Sequence, residues 1–398
     1  MSTAVMTNRL ELSSVADTAL KAAARFWFGV TVLGQLALAF TVASFYALTA
    51  LRGDYHKWNF TNGYLLGVSM GNTAVIMHVA SAVIIMLAGA AQLVPQVRNR
   101  FPVFHRWNGR IYMMTAVTLS VAGLYMTWIR GSVGDLSVHL ASTLGAVLIW
   151  LCGGMALRYA LARDFRTHRR WALRFFLVVS GSWFFRIGFF LWLLVFKGPF
   201  GFDPATFRGP FLTFMSFAQY SIPLAVLEIY LWAQDRPGVM RRMAMAGTLF
   251  AVTLVMCAGL FAVTMAQWVP QLKAAYDSRK SIAETLSATI ASSGIDQAVK
   301  QYHELKGAGP TTTYNFEESE LNALGYELIR ANKFKEAICI LQLNVEAYPQ
   351  SSNVYDSLGE AYMDDGNKPQ AIANYQKSLQ LNPKNRGAVE ILRKLSAT

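Results

Sequence analysis

The sequence predicts an all-α protein: a seven-transmembrane-helix bundle followed by a soluble α-solenoid. Three observations carry this. The 398 residues are 54% hydrophobic and only 15% charged, whereas about a quarter of a soluble domain is charged. Seven apolar runs reach spanning length. After Pro270 the composition turns polar and a repeat of period 34 begins.

The apolar runs lie near 26–51, 72–96, 110–130, 136–162, 172–196, 211–233 and 243–268. About 20 apolar residues cross the hydrocarbon core. The first run is far longer than the 7–15 or so residues of a signal-peptide core, so it reads as a retained helix. The implied domains are an N-terminal segment 1–25, a membrane domain 26–270, a helical linker 271–310 and a repeat domain 311–398.

A net charge of +13 could suggest nucleic acid. The placement of the charge excludes that reading, because the Arg residues gather at the ends of apolar runs. Segments 97–110, 158–174 and 234–242 hold thirteen Arg between them. The alternate loops hold five basic residues: Arg52, Lys57, Arg130, Lys197 and Arg208. The positive-inside rule then makes the N-terminus cytoplasmic. Seven crossings put the tail outside a bacterial inner membrane. The three cysteines, Cys152, Cys257 and Cys339, show no metal or disulfide spacing.

In the tail, Leu324 recurs as Leu358, Gly325 as Gly359, Ala337 as Ala371 and Pro349 as Pro383. With Tyr355, Tyr362 and Tyr375 these positions match the tetratricopeptide pattern. Small Gly and Ala let paired helices approach, and Pro ends the second helix of each pair. Ala298, Tyr302 and Pro310 repeat the second-helix spacing as a degenerate unit, and 385–396 reads as a capping helix. Such arrays hold a peptide or protein partner. The alternative is that a short array only stiffens the membrane domain. His303 reads as a surface or packing residue. No SxxK motif or GxSxG elbow precedes the repeats, so nothing here resembles a soluble-type enzyme.

Four histidines recur in order in the membrane domain. His78 and His139 lie near the outer ends of spans two and four. His105 and His168 lie at the inner mouths of spans three and five, in FHRWNGR and THRRWALR. Spans two–three and four–five thus read as two versions of one hairpin. Facing histidines at each depth suit the axial positions of haem b iron, and two such pairs would carry electrons across the membrane. Small residues beside His78 (Ser81, Ala88) and His139 (Ser142, Ala146, Gly153) leave room for a flat cofactor. They equally let helices pack closely. The HRW segments equally suit an interfacial clamp, with Arg on lipid phosphate and Trp at headgroup depth. Arg186, midway along span five, is a functional candidate by its charge alone. It suits a haem propionate, a quinone oxygen or a substrate anion. Glu228 is placed to pair with Arg174.

The order His78, HRWNGR, HRRWALR and Arg186 resembles the bacterial membrane family called domain of unknown function 2306, over about residues 70–235. The resemblance implies a fold and a location rather than a reaction, and His139 is not a standard member of its pattern. The four-histidine order is also similar, in arrangement only, to the two-haem transmembrane b cytochromes. Three functional readings follow. One is a membrane electron-transfer protein or oxidoreductase binding haem b and exchanging with quinone. The second is a membrane anchor whose repeats recruit a protein. The third is a small-molecule transporter, although no matched pair of Gly/Pro-broken spans supports it.

Overall fold

Long runs free of breakers become long helices. The computed structural model describes residues 2–52, 69–129, 134–204, 206–308 and 313–396. His56, Lys57, Arg130 and Pro310 lie outside the described residues. The chain divides into two compact units, Met1–Tyr276 and Asp277–Thr398.

The first unit comprises α1 (Ser2–Arg52), α2 (Ser69–Leu93), α3 (Pro95–Arg100), α4 (Pro102–Trp128), α5 (Leu136–Leu161), α6 (Phe165–Val179), α7 (Gly181–Phe196), α8 (Pro210–Asp235), α9 (Val239–Val263) and α10 (Val269–Tyr276). A π-helical turn, Thr264–Trp268, joins the last two. Six helical stretches are long and apolar enough to cross a membrane. Helices α6 and α7 form a pair bent by 50°, and counting that pair as one crossing gives seven. The chain is a multi-pass membrane protein.

Three features depart from the sequence reading. Residues 2–25 continue the first spanning helix, because no Gly or Pro interrupts them. Their Leu20 and Ala23 pack with Ala233, Met245, Ala246 and Leu249, and Arg242 pairs with Asp17. The HRW segments lie on the first turns of α4 and α6, not in loops. Pro102 at the first turn starts α4, and Asp164 starts α6 by accepting the Thr167 N–H, so each helix begins before its apolar run. The fifth crossing is broken at Ser180–Gly181, a Ser-Gly-Ser sequence of the kind that kinks helices. Gln35 of α1 donates to the Ser180 hydroxyl at 2.9 Å, and the Gln219 amide of α8 lies beside Gly181. Polar side chains thus meet the break inside the apolar region, as a membrane requires.

Helix α1 packs on α2, α9 and α10; α2 packs on α4; α4 on α5; α5 on α6 and α8; α7 on α8 and α9. The two hairpins expected from the histidine spacing are therefore the packed pairs α2/α4 and α5/α6. Their shared core includes Tyr112, Phe175, Phe176, Trp183 and Tyr220.

The second unit is three helical hairpins and a cap: α11 (Ile282–Ser293) with α12 (Ile295–Gly307), α13 (Glu318–Arg330) with α14 (Phe334–Ala347), α15 (Ser352–Asp364) with α16 (Lys368–Leu381), then α17 (Arg386–Ser396). A short parallel pair, β1 (Lys280–Ser281) with β2 (Tyr314–Asn315), ties the first hairpin to the segment before α13. The repeat positions form the core. Ala298, Ala337 and Ala371 are wholly buried, as are Leu324 and Leu358 to within a few per cent. A Cβ on Gly325 would lie 2.6 Å from the Leu341 side chain, and one on Gly359 would lie 3.3 Å from the Tyr375 ring. These glycines set how closely each hairpin closes.

Candidate functional sites

The first HRW segment encloses one glutamine. Asn108 donates to the Ala88 carbonyl and to Gln92 Oε1, both at 2.9 Å. The Gln92 amide nitrogen lies 3.4 Å from His105 Nε2. A Cβ on Gly109 would come within 2.7 Å of that same amide. His105, Asn108 and Gly109 all face Gln92, so the motif fastens α4 to α2 by a polar contact that apolar surroundings strengthen.

The second segment fastens α6 differently. His168 Nδ1 lies 2.8 Å from the Ala156 carbonyl of α5, and only the protonated nitrogen can donate there. In both segments the Arg three residues after the Trp stacks on it: Arg110 over Trp107 at 4.8 Å and Arg174 over Trp171 at 4.9 Å. Arg174 also forms a two-pronged pair with Glu228 of α8, at 2.7 and 2.9 Å, as its position in the sequence suggested. Arg170 donates from one terminal nitrogen to both carboxylate oxygens of Asp235. His105 and His168 are close enough for their charges to interact, with Arg98 nearby.

Aromatic rings pack against two of the glycines in these helices. A Cβ on Gly89 would lie 2.8 Å from the Tyr112 ring, and one on Gly153 would lie 3.1 Å from the Phe175 ring. Those rings meet edge-to-face at 5.2 Å. An apolar cleft of about 270 Å³ between α4, α5 and α6 is lined by Met113, Val117, Ile149, Trp150, Gly153, Gly154 and Phe175, with no histidine. The contacts of His105 and His168 are ones an interfacial clamp makes. Among the described residues no group of three His, Cys, Asp or Glu converges as a metal site.

The outer histidines have different neighbours. The His139 ring packs edge-on against Trp128 at 5.5 Å, and Trp128 donates to the Thr143 hydroxyl one turn along. His78 instead lies within reach of the Arg186 charge, as does Tyr46 of α1. No contact joins His78 to His139 among the described residues.

The repeat unit carries a second charged feature, which the sequence reading passed over. Asp356, Glu360 and Asp364 recur every four residues on α15, so they share one face. Tyr326 of α13 donates to Glu360 at 2.7 Å, and Asn385 donates to Asp356 at 2.8 Å. Burial pushes all three carboxyls above their usual range, and at Glu360 the Asp364 and Asp356 charges add to it. Among the described residues no Lys or Arg pairs with any of the three. The framework residues Leu324, Gly325, Leu358 and Gly359 are internal. Tyr355 donates to the Pro349 carbonyl at 3.2 Å, and Tyr362 accepts from Gln342 at 2.9 Å. These six build the array, and the carboxylate row is what the array displays.

Comparison with known proteins agrees with this division. Residues 75–222 match the family model described as a predicted membrane protein (DUF2306), a stretch from within α2 to within α8 that contains all four membrane histidines and Arg186. Residues 352–385 match the tetratricopeptide repeat model. No curated protein and no solved structure matches the chain. The chain therefore joins a segment that matches the DUF2306 model to a stretch that matches the tetratricopeptide repeat model.

Proposed function

We propose that the protein is a membrane-embedded scaffold whose repeat unit captures a basic segment of a partner protein. The carrying observation is the carboxylate row Asp356–Glu360–Asp364 on a packed helical-repeat array, with raised proton affinities and, among the described residues, no Lys or Arg paired with it. Partly buried carboxylates without a counter-charge are unfavourable in the free protein. A Lys or Arg from a partner relieves that cost and gains charge-assisted hydrogen bonds. The membrane unit supplies attachment: its HRW motifs and interhelical ion pairs fasten helices to one another. In this reading the N-terminus is cytoplasmic and the repeats face outward from a bacterial inner membrane, as the arginine asymmetry indicates.

The test is a peptide array probed with detergent-solubilised full-length protein. Peptides with two or more Lys or Arg are expected to retain the protein at low salt and release it as salt rises. Equal retention by acidic and basic peptides would overturn the proposal.

A further inference from the structure

Arg186 lies ten residues from the Phe196 end of α7, or about 15 Å at 1.5 Å per residue. That places its charge deep in the apolar region. A guanidinium offers five N–H donors. Arg186 uses one on the Ser182 carbonyl of its own helix, at 2.9 Å. No Asp or Glu pairs with it among the described residues. Every other interhelical arginine discussed above has a carboxylate: Arg170 has Asp235, Arg174 has Glu228 and Arg242 has Asp17. An ionised side chain in a membrane is ordinarily paired, or it marks a ligand or ion pathway.

Two polar groups on other helices feel the charge of Arg186. His78 of α2 and Tyr46 of α1 lie within its electrostatic reach. His78 Nδ1 is buried and has no hydrogen-bond partner, which is unfavourable unless something absent from the chain satisfies it. Guanidinium, imidazole and phenol are all groups that can donate to an anion. One permanent cation is matched by one negative charge. Toward the outer end of α7 the surroundings turn aromatic. Phe189, one turn beyond Arg186, lies among the rings of Phe185, Phe190, Phe202, Phe207 and Phe211.

We infer that Arg186 is the anion receptor of an intramembrane site that takes the carboxylate of an apolar acid. The carboxylate accepts the two-pronged donation for which a guanidinium is shaped, and the acid's apolar body stays among the rings and lipid. The phosphate of an ordinary membrane lipid stays at headgroup depth, well outside this position. The inference is independent of the scaffold proposal, since it rests on α1, α2 and α7 alone.

The test uses full-length protein in phosphatidylcholine nanodiscs and a long-chain fatty acid bearing a photoreactive diazirine near its carboxylate. Crosslinks are expected on α7 near Arg186, displaced by palmitate and not by methyl palmitate. Arg186→Gln is expected to reduce labelling at least tenfold, while Arg186→Lys retains part of it. Competition by benzoate distinguishes the source of the acid. Benzoate as effective as palmitate assigns a small water-soluble acid, and palmitate alone assigns a lipid-derived one; both outcomes support the carboxylate site. Should Arg186→Gln fail to fold, His78→Leu keeps the charge, removes the imidazole, and is expected to weaken labelling several-fold. Labelling unchanged in every variant that folds, or displaced equally by the methyl ester, would overturn the inference.

Discussion

The two units handle polar groups in opposite ways. In the membrane unit the motif residues are consumed by the fold: Gln92 is enclosed by His105, Asn108 and Gly109, and Arg170 and Arg174 are matched by Asp235 and Glu228. In the repeat unit the motif residues are apolar or small and internal, while a row of carboxylates outside the motif has no basic partner among the described residues. The row does not follow the charge of the chain. Residues 1–276 carry 23 basic and 8 acidic side chains, and residues 277–398 carry 13 and 15. A polar motif in an apolar solvent therefore most readily signals helix fastening. Function in an α-solenoid lies in the variable positions its framework displays.

That contrast can be broken from either side. The largest effect is expected from Gly325→Leu. Its Cβ would meet Leu341 at 2.6 Å, and overpacking of this kind costs about 1–3 kcal/mol. Thermal melting followed by hydrogen exchange should show residues 277–398 opening earlier and basic-peptide capture falling, with the membrane unit unchanged. A variant that keeps full capture and protection would contradict the framework role of this glycine.

Asn108→Leu is the opposite probe. It removes the bonds to Ala88 and Gln92, for about 1–2 kcal/mol given the modest worth of polar contacts between membrane helices. Detergent-stability measurements should show a lower melting temperature of the membrane unit, with peptide capture retained. Loss of capture with an unshifted melt would reverse the division of roles.

The smallest effect sharpens the contrast. Asp356, Glu360 and Asp364 have folded-state proton affinities above their unfolded values. The native unit therefore binds more protons than the unfolded chain between the ordinary carboxylate pKa, about 4, and the raised values. Stability in that window falls as pH rises and grows as pH drops toward the ordinary carboxylate range. Glu360→Gln should flatten the slope measured by denaturant titration of residues 277–398 within the full chain. A slope unchanged by the substitution would remove the row from the account.

Much of this was legible in the sequence. Composition and run length gave the crossings, and the period of 34 gave the hairpins, because both are local and repetitive. The Arg174–Glu228 pair was readable from depth alone. The enclosure of Gln92 was not, since it needs Asn108 and His105 turned toward α2, a matter of how two helices rotate about their axes. The haem reading arose from the same gap. A small residue such as Gly153 leaves space in one dimension of sequence, and the Phe175 ring packs against it in three. Tyr46 was invisible as a neighbour of Arg186 because nothing in α1 states which helix it meets. The carboxylate row is readable in its four-residue spacing, but its positions lie outside the repeat consensus, which specifies framework residues alone.

The central claim is that the α15 row holds a cation from a partner. Its most direct test is calorimetric titration of full-length protein in nanodiscs with the best basic peptide from the array, beside the same peptide with Lys and Arg replaced by Gln. The account predicts tight binding of the basic peptide alone, weakened about tenfold or more by Glu360→Gln combined with Asp356→Asn, in line with the strength of charge-assisted bonds. Equal affinity of the two peptides, or an affinity untouched by the double substitution, would contradict it.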